Sequence, residues 1–585
     1  MTDHNDRPHG GGDRRGAPRR NDRPRGEWGK GPRRDGDRPS GSGRPDRGER
    51  TDRPRGEWGK GPRREGGDRA GGGERRGYGG PRRDGGDRRD SGERRGYGGP
   101  RRDGGDRRGG GDRRGGPRRD GPRQRSVTTP AERTASVDAP RMVAFELLRE
   151  VNRGAYANLA LPPLLAARRL TGRDAAFATE LAYGTIRMQG RYDPVIAKAI
   201  ERPIKRLSSE LTAVLRLGTH QLAALRVPDH AAVDSSVALA REAIGTGPSH
   251  LVNAALRVIA EAGFDTLEAE LLEGLPDDDV LSRRTSHPAW IIRALRQALQ
   301  AGQRDPADLP ALLEANNQPA ATALVARPGM ISQEELLAEV PDGTAGRFTP
   351  TAVIMDHGSP AQVQAVRLNK AGVQDEGSQL VALALADAPL TGPDARWADL
   401  CAGPGGKAAL LGAIARQRGA TVHATEVHPH RADLVRGIVD LETVHVEVGD
   451  GRELGTTHPG EFDRVLVDVP CTGLGALRRR PEARWRHSPT DMASLGPLQR
   501  ELLASAIQAT RPGGLIAYVT CSPHLAETTL VLQDVLRRAP ECSVVNCGDV
   551  ELLAGTGAVR PDGNLQLWTD IHGTDAMFLA LIRRG

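Results

Sequence analysis

Apolar residues recur at helical spacing from about 136 to 275. Arg141-Met142-Val143-Ala144-Phe145-Glu146-Leu147-Leu148 places its apolar side chains on one face. Further runs predict helices over Asp174–Met188, Ser208–Ala224, Ala231–Ala243 and Ser249–Ala262. Turn signals separate them at Thr171-Gly172, Val227-Pro228 and Gly245-Thr246-Gly247-Pro248. The segment 136–275 therefore reads as an all-α bundle. Over 276–370 the pattern weakens to a connector with a small α+β module. A helix opens at His287-Pro288-Ala289-Trp290 there, Asn316-Asn317-Gln318-Pro319 breaks it, and strand-like pieces follow at Thr322–Arg327 and Val363–Leu368.

From 371 to 585 the pattern alternates between buried-strand runs and helical runs, which predicts a doubly wound α/β sheet. Strands are expected near Arg396–Leu400, Thr421–Val427, Val444–Val448, Arg464–Val469, Leu515–Thr520 and Met577–Ile582, with Ser543–Asn546 also strand-like. Helices are expected near Lys407–Arg418, Pro429–Leu441, Asp491–Ala509 and Leu525–Arg538.

Residues 1–135 have no such pattern. Asp22–Arg34 recurs verbatim at Asp52–Arg64, and Gly73–Arg89 recurs at Gly92–Arg108. Gly, Arg, Asp and Pro dominate, and so little apolar surface cannot offset chain entropy, so a disordered tail is expected. Residues 1–130 hold 38 Lys and Arg against 22 Asp and Glu, so the net charge of +8 conceals a tail of +16 on an acidic body of −8. Arg-Gly runs with sparse Tyr78, Tyr97, Trp28 and Trp58 suit loose RNA contact through phosphate attraction and base stacking. Five cysteines without paired spacing argue against a disulfide framework. The start, Met1-Thr2-Asp3-His4, lacks the apolar stretch of a signal peptide, and no run is long enough to span a bilayer. A cytoplasmic monomer without membrane attachment is expected.

Two features carry chemistry. One is the loop Asp399-Leu400-Cys401-Ala402-Gly403-Pro404-Gly405-Gly406-Lys407 between a strand and a helix. Its small residues let a ligand approach the backbone, and the helix start presents free N–H groups. Glu426 closes the next strand, 20 residues beyond Gly406, where a carboxylate can accept bonds from ribose hydroxyls. Asp450 follows the third strand, within reach of an adenine, and Asp468 ends the fourth. The loop is neither G-x-G-x-x-G nor a phosphate-cradling lysine loop, so S-adenosylmethionine fits better than a dinucleotide or a nucleoside triphosphate. The other feature is a pair of cysteines at strand ends, Cys471 in Asp468-Val469-Pro470-Cys471-Thr472-Gly473 and Cys521 in Thr520-Cys521-Ser522-Pro523. A thiolate added to C6 of a pyrimidine makes C5 a nucleophile, and a base must later remove the C5 proton.

These motifs, with Gln374-Asp375-Glu376-Gly377-Ser378-Gln379, resemble the Sun/RsmB-type 16S ribosomal RNA (cytosine-5-)-methyltransferases. Upstream, Asn158-Leu159, Glu180-Leu181-Ala182-Tyr183-Gly184, Val227-Pro228-Asp229-His230 and Val252-Asn253-Ala254-Ala255 resemble the NusB-like RNA-binding domain. The resemblance covers about 136–585 and implies a Rossmann-like methyltransferase domain that acts on small-subunit ribosomal RNA during rRNA processing and yields 5-methylcytosine. It implies Cys521 as nucleophile, Cys471 in product release and Asp468 on the target cytosine. It assigns cofactor contacts to Cys401, Ala402, Gly403, Pro404, Gly405, Gly406, Lys407, Glu426, Asp450 and Asp468. Thr472, Val469, Glu426 and Gly403 depart from the usual residues without removing a functional group.

Between the thiols, Leu477 to Arg486 holds five arginines, and Arg478, Arg479, Arg480 and Arg484 are expected to clamp RNA phosphates, with Trp485 packing or stacking. Cys542 and Cys547 read as core residues, His428 and His430 as surface or cap residues, and no metal site is expected. Two alternatives stand beside this reading: the same chemistry on transfer RNA, and a non-catalytic RNA-binding factor in ribosome assembly.

Overall fold

A computed structural model describes residues 137–585; the Arg/Gly-rich tail expected over 1–135 lies outside the described residues. The described chain opens with seven helices: α1 (Ala139–Asn152), α2 (Ala157–Ala167), α3 (Gly172–Ala199), α4 (Ser209–Ala223), α5 (Asp229–Ala243), α6 (Thr246–Ala262) and α7 (Phe264–Leu272). Local signals set their starts. The Asp138 carboxylate accepts the Arg141 N–H ahead of α1, with Pro140 in its first turn, and the Ser208 hydroxyl accepts the Leu211 N–H ahead of α4. Val143, Leu147, Leu181, Val214, Leu256 and Ile259 interlock in one apolar core. The sequence reading missed α2, because Pro162 and Pro163 lie inside it.

Three helices follow, α8 (Asp277–Arg284), α9 (Ala289–Ala301) and α10 (Leu309–Asn317). Next comes a four-stranded antiparallel sheet in the order β2 (Thr344–Ala345), β3 (Ala352–Met355), β1 (Thr322–Ala326), β4 (Ala371–Val373). The strand expected at Val363–Leu368 is instead a helical turn, Gln364–Arg367. The Glu339 carboxylate accepts the Ala365 N–H at 2.7 Å and satisfies that turn's free donor.

The remaining strands are β5 (Arg396–Asp399), β6 (Thr421–Glu426), β7 (Val444–Val448), β8 (Phe462–Asp468), β9 (Thr510–Thr520), β10 (Cys542–Val545), β11 (Leu565–Gln566) and β12 (Phe578–Arg584). They form a mixed sheet in the order β10-β12-β9-β8-β5-β6-β7, with β11 paired to β12. The pairs from β9 through β7 are parallel; β12 runs antiparallel to β9 and to β10. One face packs on the helices Glu376–Asp387, Gly406–Arg418 and Pro429–Arg436. The other packs on Met492–Ala509 and Thr529–Leu536. The first strand of the parallel set, β5, lies between β6 and β8, so the chain reverses direction across the sheet there, and the carboxyl ends of β5, β6 and β8 open onto a crevice. Among the described residues no helix is long and apolar enough to cross a membrane.

Candidate active site

The parallel register of β8 and β9 sets the two cysteine turns side by side. Asp468 pairs with Val519, and the Val469 N–H reaches the Val519 carbonyl at 3.0 Å. Cys471 lies three residues beyond Asp468 and Cys521 two residues beyond Val519, and their sulfurs are 3.4 Å apart. Glu527, fully buried, ties the turns together. It accepts the Thr472 N–H at 2.7 Å and the Thr472 hydroxyl at 2.5 Å, while Gln499 donates to it at 3.3 Å and to the Pro470 carbonyl at 2.8 Å. Thr472 also meets the Ser522 hydroxyl at 3.2 Å. Gly475 allows the closest approach: its N–H donates to the Cys521 carbonyl at 2.9 Å and its carbonyl accepts the Ala576 N–H at 2.9 Å. A Cβ there would lie 2.9 Å from the Cys521 oxygen and closer still to the Ala576 oxygen.

The two thiols differ electrostatically. Cys521 is lowered from the usual thiol range, first by the hydrogen bond from Cys471 and then, against burial, by the charges of Arg480 and Lys407. Cys471 is raised, by the same hydrogen bond, by burial and by the negative charges of Cys521, Glu527 and Asp468. The pair therefore ionises first at Cys521, with the Cys471 S–H as donor. Thiolate, not thiol, is the nucleophile.

The glycine loop lies in the same crevice. The Gly403 N–H donates to Glu426 at 3.1 Å, and the His428 N–H holds the other Glu426 oxygen at 3.0 Å. Arg431 bonds the Gly403 carbonyl and lies 3.4 Å from Glu426. A Cβ on Gly403 would collide with the Glu426 carboxylate, and Gly405 has φ of +114°, a left-handed conformation suited to glycine. Lys407 pairs with Asp468 at 2.8 Å. Asp450 caps the turn after β7 through Arg452. Asp399 is buried beneath the loop, and burial followed by the Asp468 charge pushes it up to about 7. Near Gly406, the buried Gln374 amide oxygen has no hydrogen-bond partner. Four carboxylates against Lys407 and Arg431, with an orphaned amide acceptor, fit a cofactor that carries positive charge and ribose hydroxyls. S-adenosylmethionine has both. Arg431, Glu527 and Gly475 were not singled out from sequence, and Asp399 and Gln374 stood in quoted motifs without a role; an isolated acid reads as a cap or a solvated turn until its burial is known.

The arginine segment corrects one expectation. Arg484 is fully buried and bonds the Asn317 side chain and the Asn316 carbonyl, each at 2.7 Å, and the carbonyls of Ser286 and Arg187. No phosphate can reach it there. Arg479 is spent on Asp375 and Asp575, and Arg478 on the Gly573 carbonyl. Trp485 donates to the Ile186 carbonyl at 2.9 Å and lies against Gly190 of α3, so it packs rather than stacks on a base. Glu482 accepts the Ala157 N–H, and Arg486 donates to the Ala155 carbonyl. The segment thus fastens the helical bundle to the α/β sheet. Among the described residues the Arg480 guanidinium makes neither an ion pair nor a hydrogen bond. Its guanidinium stacks over Tyr156, and Arg486 lies over the same ring.

Comparison with known proteins bears on the family and the fold. The model of the 16S rRNA methyltransferase RsmB/F family matches residues 388–583, and that of the NusB family matches 138–261. A protein of Mycobacterium tuberculosis (strain CDC 1551 / Oshkosh) with a methyltransferase name, MT1451, is 48% identical over 476 residues, covering 80% of this chain and 99% of that protein. The ribosomal RNA small subunit methyltransferase B of Pseudomonas syringae pv. tomato (strain ATCC BAA-871 / DC3000) is 31% identical, covering 75% of this chain and 96% of its own. The crystal structure of PH0851 shares the fold, with a TM-score of 0.66 at 21% identity over 77% of this chain and 99% of that one.

Two expected outcomes test the site. Gly475→Ala forces the cysteine turns apart; turnover should fall sharply, with about 1–3 kcal/mol of stability lost to overpacking in chemical denaturation. Wild-type turnover in that variant would show that the close approach is unimportant. A cationic ligand favours the ionised form of Asp399, so cofactor binding should release a proton and weaken as pH falls below about 7. Calorimetry across pH should show this slope in the wild type and a flat profile in Asp399→Asn.

Proposed function

This chain belongs to the RsmB/F family of 16S rRNA methyltransferases, and from that premise we propose that it methylates C5 of a cytosine in small-subunit ribosomal RNA through a covalent bond from Cys521 to C6. The observation that carries this reading is the pair of sulfurs at 3.4 Å, with the lower-pKa thiol at Cys521. It is an S-adenosylmethionine-dependent RNA methyltransferase with a NusB-like domain ahead of the catalytic sheet. The ribosomal substrate is supported by relatives named ribosomal RNA small subunit methyltransferase B. The cytoplasm is the proposed compartment.

The chain's own groups account for each stage. The Cys521 thiolate adds to C6 of the cytosine, and the ring electrons move onto C5, which becomes the nucleophile. S-adenosylmethionine would be held by the glycine loop with Glu426, Asp450 and Asp399, and would supply the electrophilic sulfonium methyl group that C5 takes up. Asp468, fixed by Lys407, contacts the cytosine. The proton on Cys471 is held partly by its bond to the Cys521 thiolate. Once that sulfur is bonded to carbon, its charge is gone, and Cys471 ionises more readily, giving its proton to solvent water and leaving a thiolate. Cys471 then takes the proton from C5, the C5–C6 double bond reforms, and the Cys521 sulfur leaves with its electron pair.

The test is transfer of labelled methyl to unmodified small-subunit RNA, followed by nucleoside analysis. Label in 5-methylcytidine is expected; label on another base, or tight RNA binding without transfer, overturns the proposal. Cys471→Ala should retain the RNA as a covalent adduct, seen as a slow band on a denaturing gel. Free release from that variant would remove Cys471 from its role.

A further inference from the structure

Set back from the crevice, the first half of β6 and the outer strand β7 carry a cluster that the methyl-transfer reading does not use. His423 and His445 are direct partners in the parallel register, and their rings are 5.3 Å apart. Glu447 lies two residues beyond His445 on the same face of β7, with its carboxylate 3.0 Å from the His423 Nε2. His423 is largely buried, and its Nε2 makes no hydrogen bond of normal geometry. His458, from the turn ahead of β8, packs on His423 with its ring tilted and the centroids 5.0 Å apart. Phe462 closes the apolar side of the ring at 5.8 Å.

We propose that His423, His445 and Glu447 bind a borderline divalent transition-metal ion of the zinc class, with the fourth position left to water. One ligand atom from each of the three lies within 4.8 Å of the others. Bonds of about 2.0–2.2 Å in a tetrahedral site need ligand atoms roughly 3.4 Å apart. Closing that gap takes rotamer changes of His445 and Glu447, and both are exposed and free to make them. Imidazole nitrogen with a single carboxylate is the donor set of zinc, nickel and copper rather than of calcium or magnesium. The largely buried His423 supplies the rigid donor. The Phe462 ring packs against it at 5.8 Å. The site joins the edge strand β7 to its neighbour β6. It lies three residues, roughly 10 Å along β6, from Glu426, so it stabilises the sheet without touching the reaction.

The experiment uses the full chain without an affinity tag, stripped with chelator. Zn2+ binding is measured by calorimetry, and the visible spectrum is recorded with Co2+. His445→Ala and Glu447→Gln are compared with a His428→Ala/His430→Ala control, because that pair is the other nearby histidine cluster. The wild type and the control should bind one more equivalent than His445→Ala and give the intense bands of a tetrahedral ion. Glu447→Gln should bind at least about tenfold more weakly. Zn2+ should raise the wild-type melting temperature and leave that of His445→Ala unmoved, with methyl transfer equal in both. Equal Zn2+ binding by wild type and His445→Ala, or a weak octahedral spectrum in the wild type, would overturn the proposal.

Discussion

The carboxylate of Glu527 and the amide and hydroxyl of Thr472 meet where no water enters, and this contact fixes the relation between the two cysteines. Each thiol stands on its own turn after its own strand, and parallel strands alone bring their ends only to strand spacing. The Glu527 bonds, the Gln499 bridge to Pro470 and the absence of a side chain at Gly475 draw the turns into contact. Tyr518 within β9 adds a bond to the Glu527 carbonyl at 2.6 Å, so the tie is anchored in the sheet itself. Losing the buried carboxylate would strand the Thr472 donors away from solvent, which is costlier than the mean worth of a hydrogen bond.

Contact between the thiols has an electrostatic result. Two sulfurs sharing one proton cannot be equivalent when Arg480 and Lys407 favour charge on one and Glu527 disfavours it on the other. The nucleophile and its later base thus arise from one pair, and bonding at the first sulfur releases the second for its task. The helical bundle takes part in this. Tyr156 of the bundle carries Arg480 on its ring, and Arg484, Trp485 and Arg486 fasten the same segment to α3, the α1–α2 turn and the end of α10. A domain that resembles an RNA-binding module is therefore continuous with the charge that sets the thiol.

The alternating strands and helices were legible because β5, β6 and β8 each carry an apolar stretch that ends in an acid, and β9 ends in the apolar run Leu515–Val519 before Thr520. The two cysteine motifs and the glycine loop were legible because their spacing is local. What escaped the reading depends on burial across long separations. The helix Glu376–Asp387 is apolar all round, since it packs between the sheet and other elements, and so it has no polar face to mark its period. Glu527 looks like an acid near a helix start. The arginines after Leu477 look like phosphate ligands in a linear string, yet Arg484 is interior because carbonyls from three other segments converge on it. A buried charge is identified by its partners, and those lie more than a hundred residues away.

The most direct test replaces cytosine with 5-fluorocytosine in the small-subunit RNA, which leaves no proton on C5 for a base to remove. With S-adenosylmethionine present, the wild-type protein should become bound to the RNA, and mass spectrometry of the digested complex should find the nucleotide on the peptide that contains Cys521. A nucleotide attached at Cys471, or none attached while methyl transfer to ordinary RNA proceeds, would contradict the account.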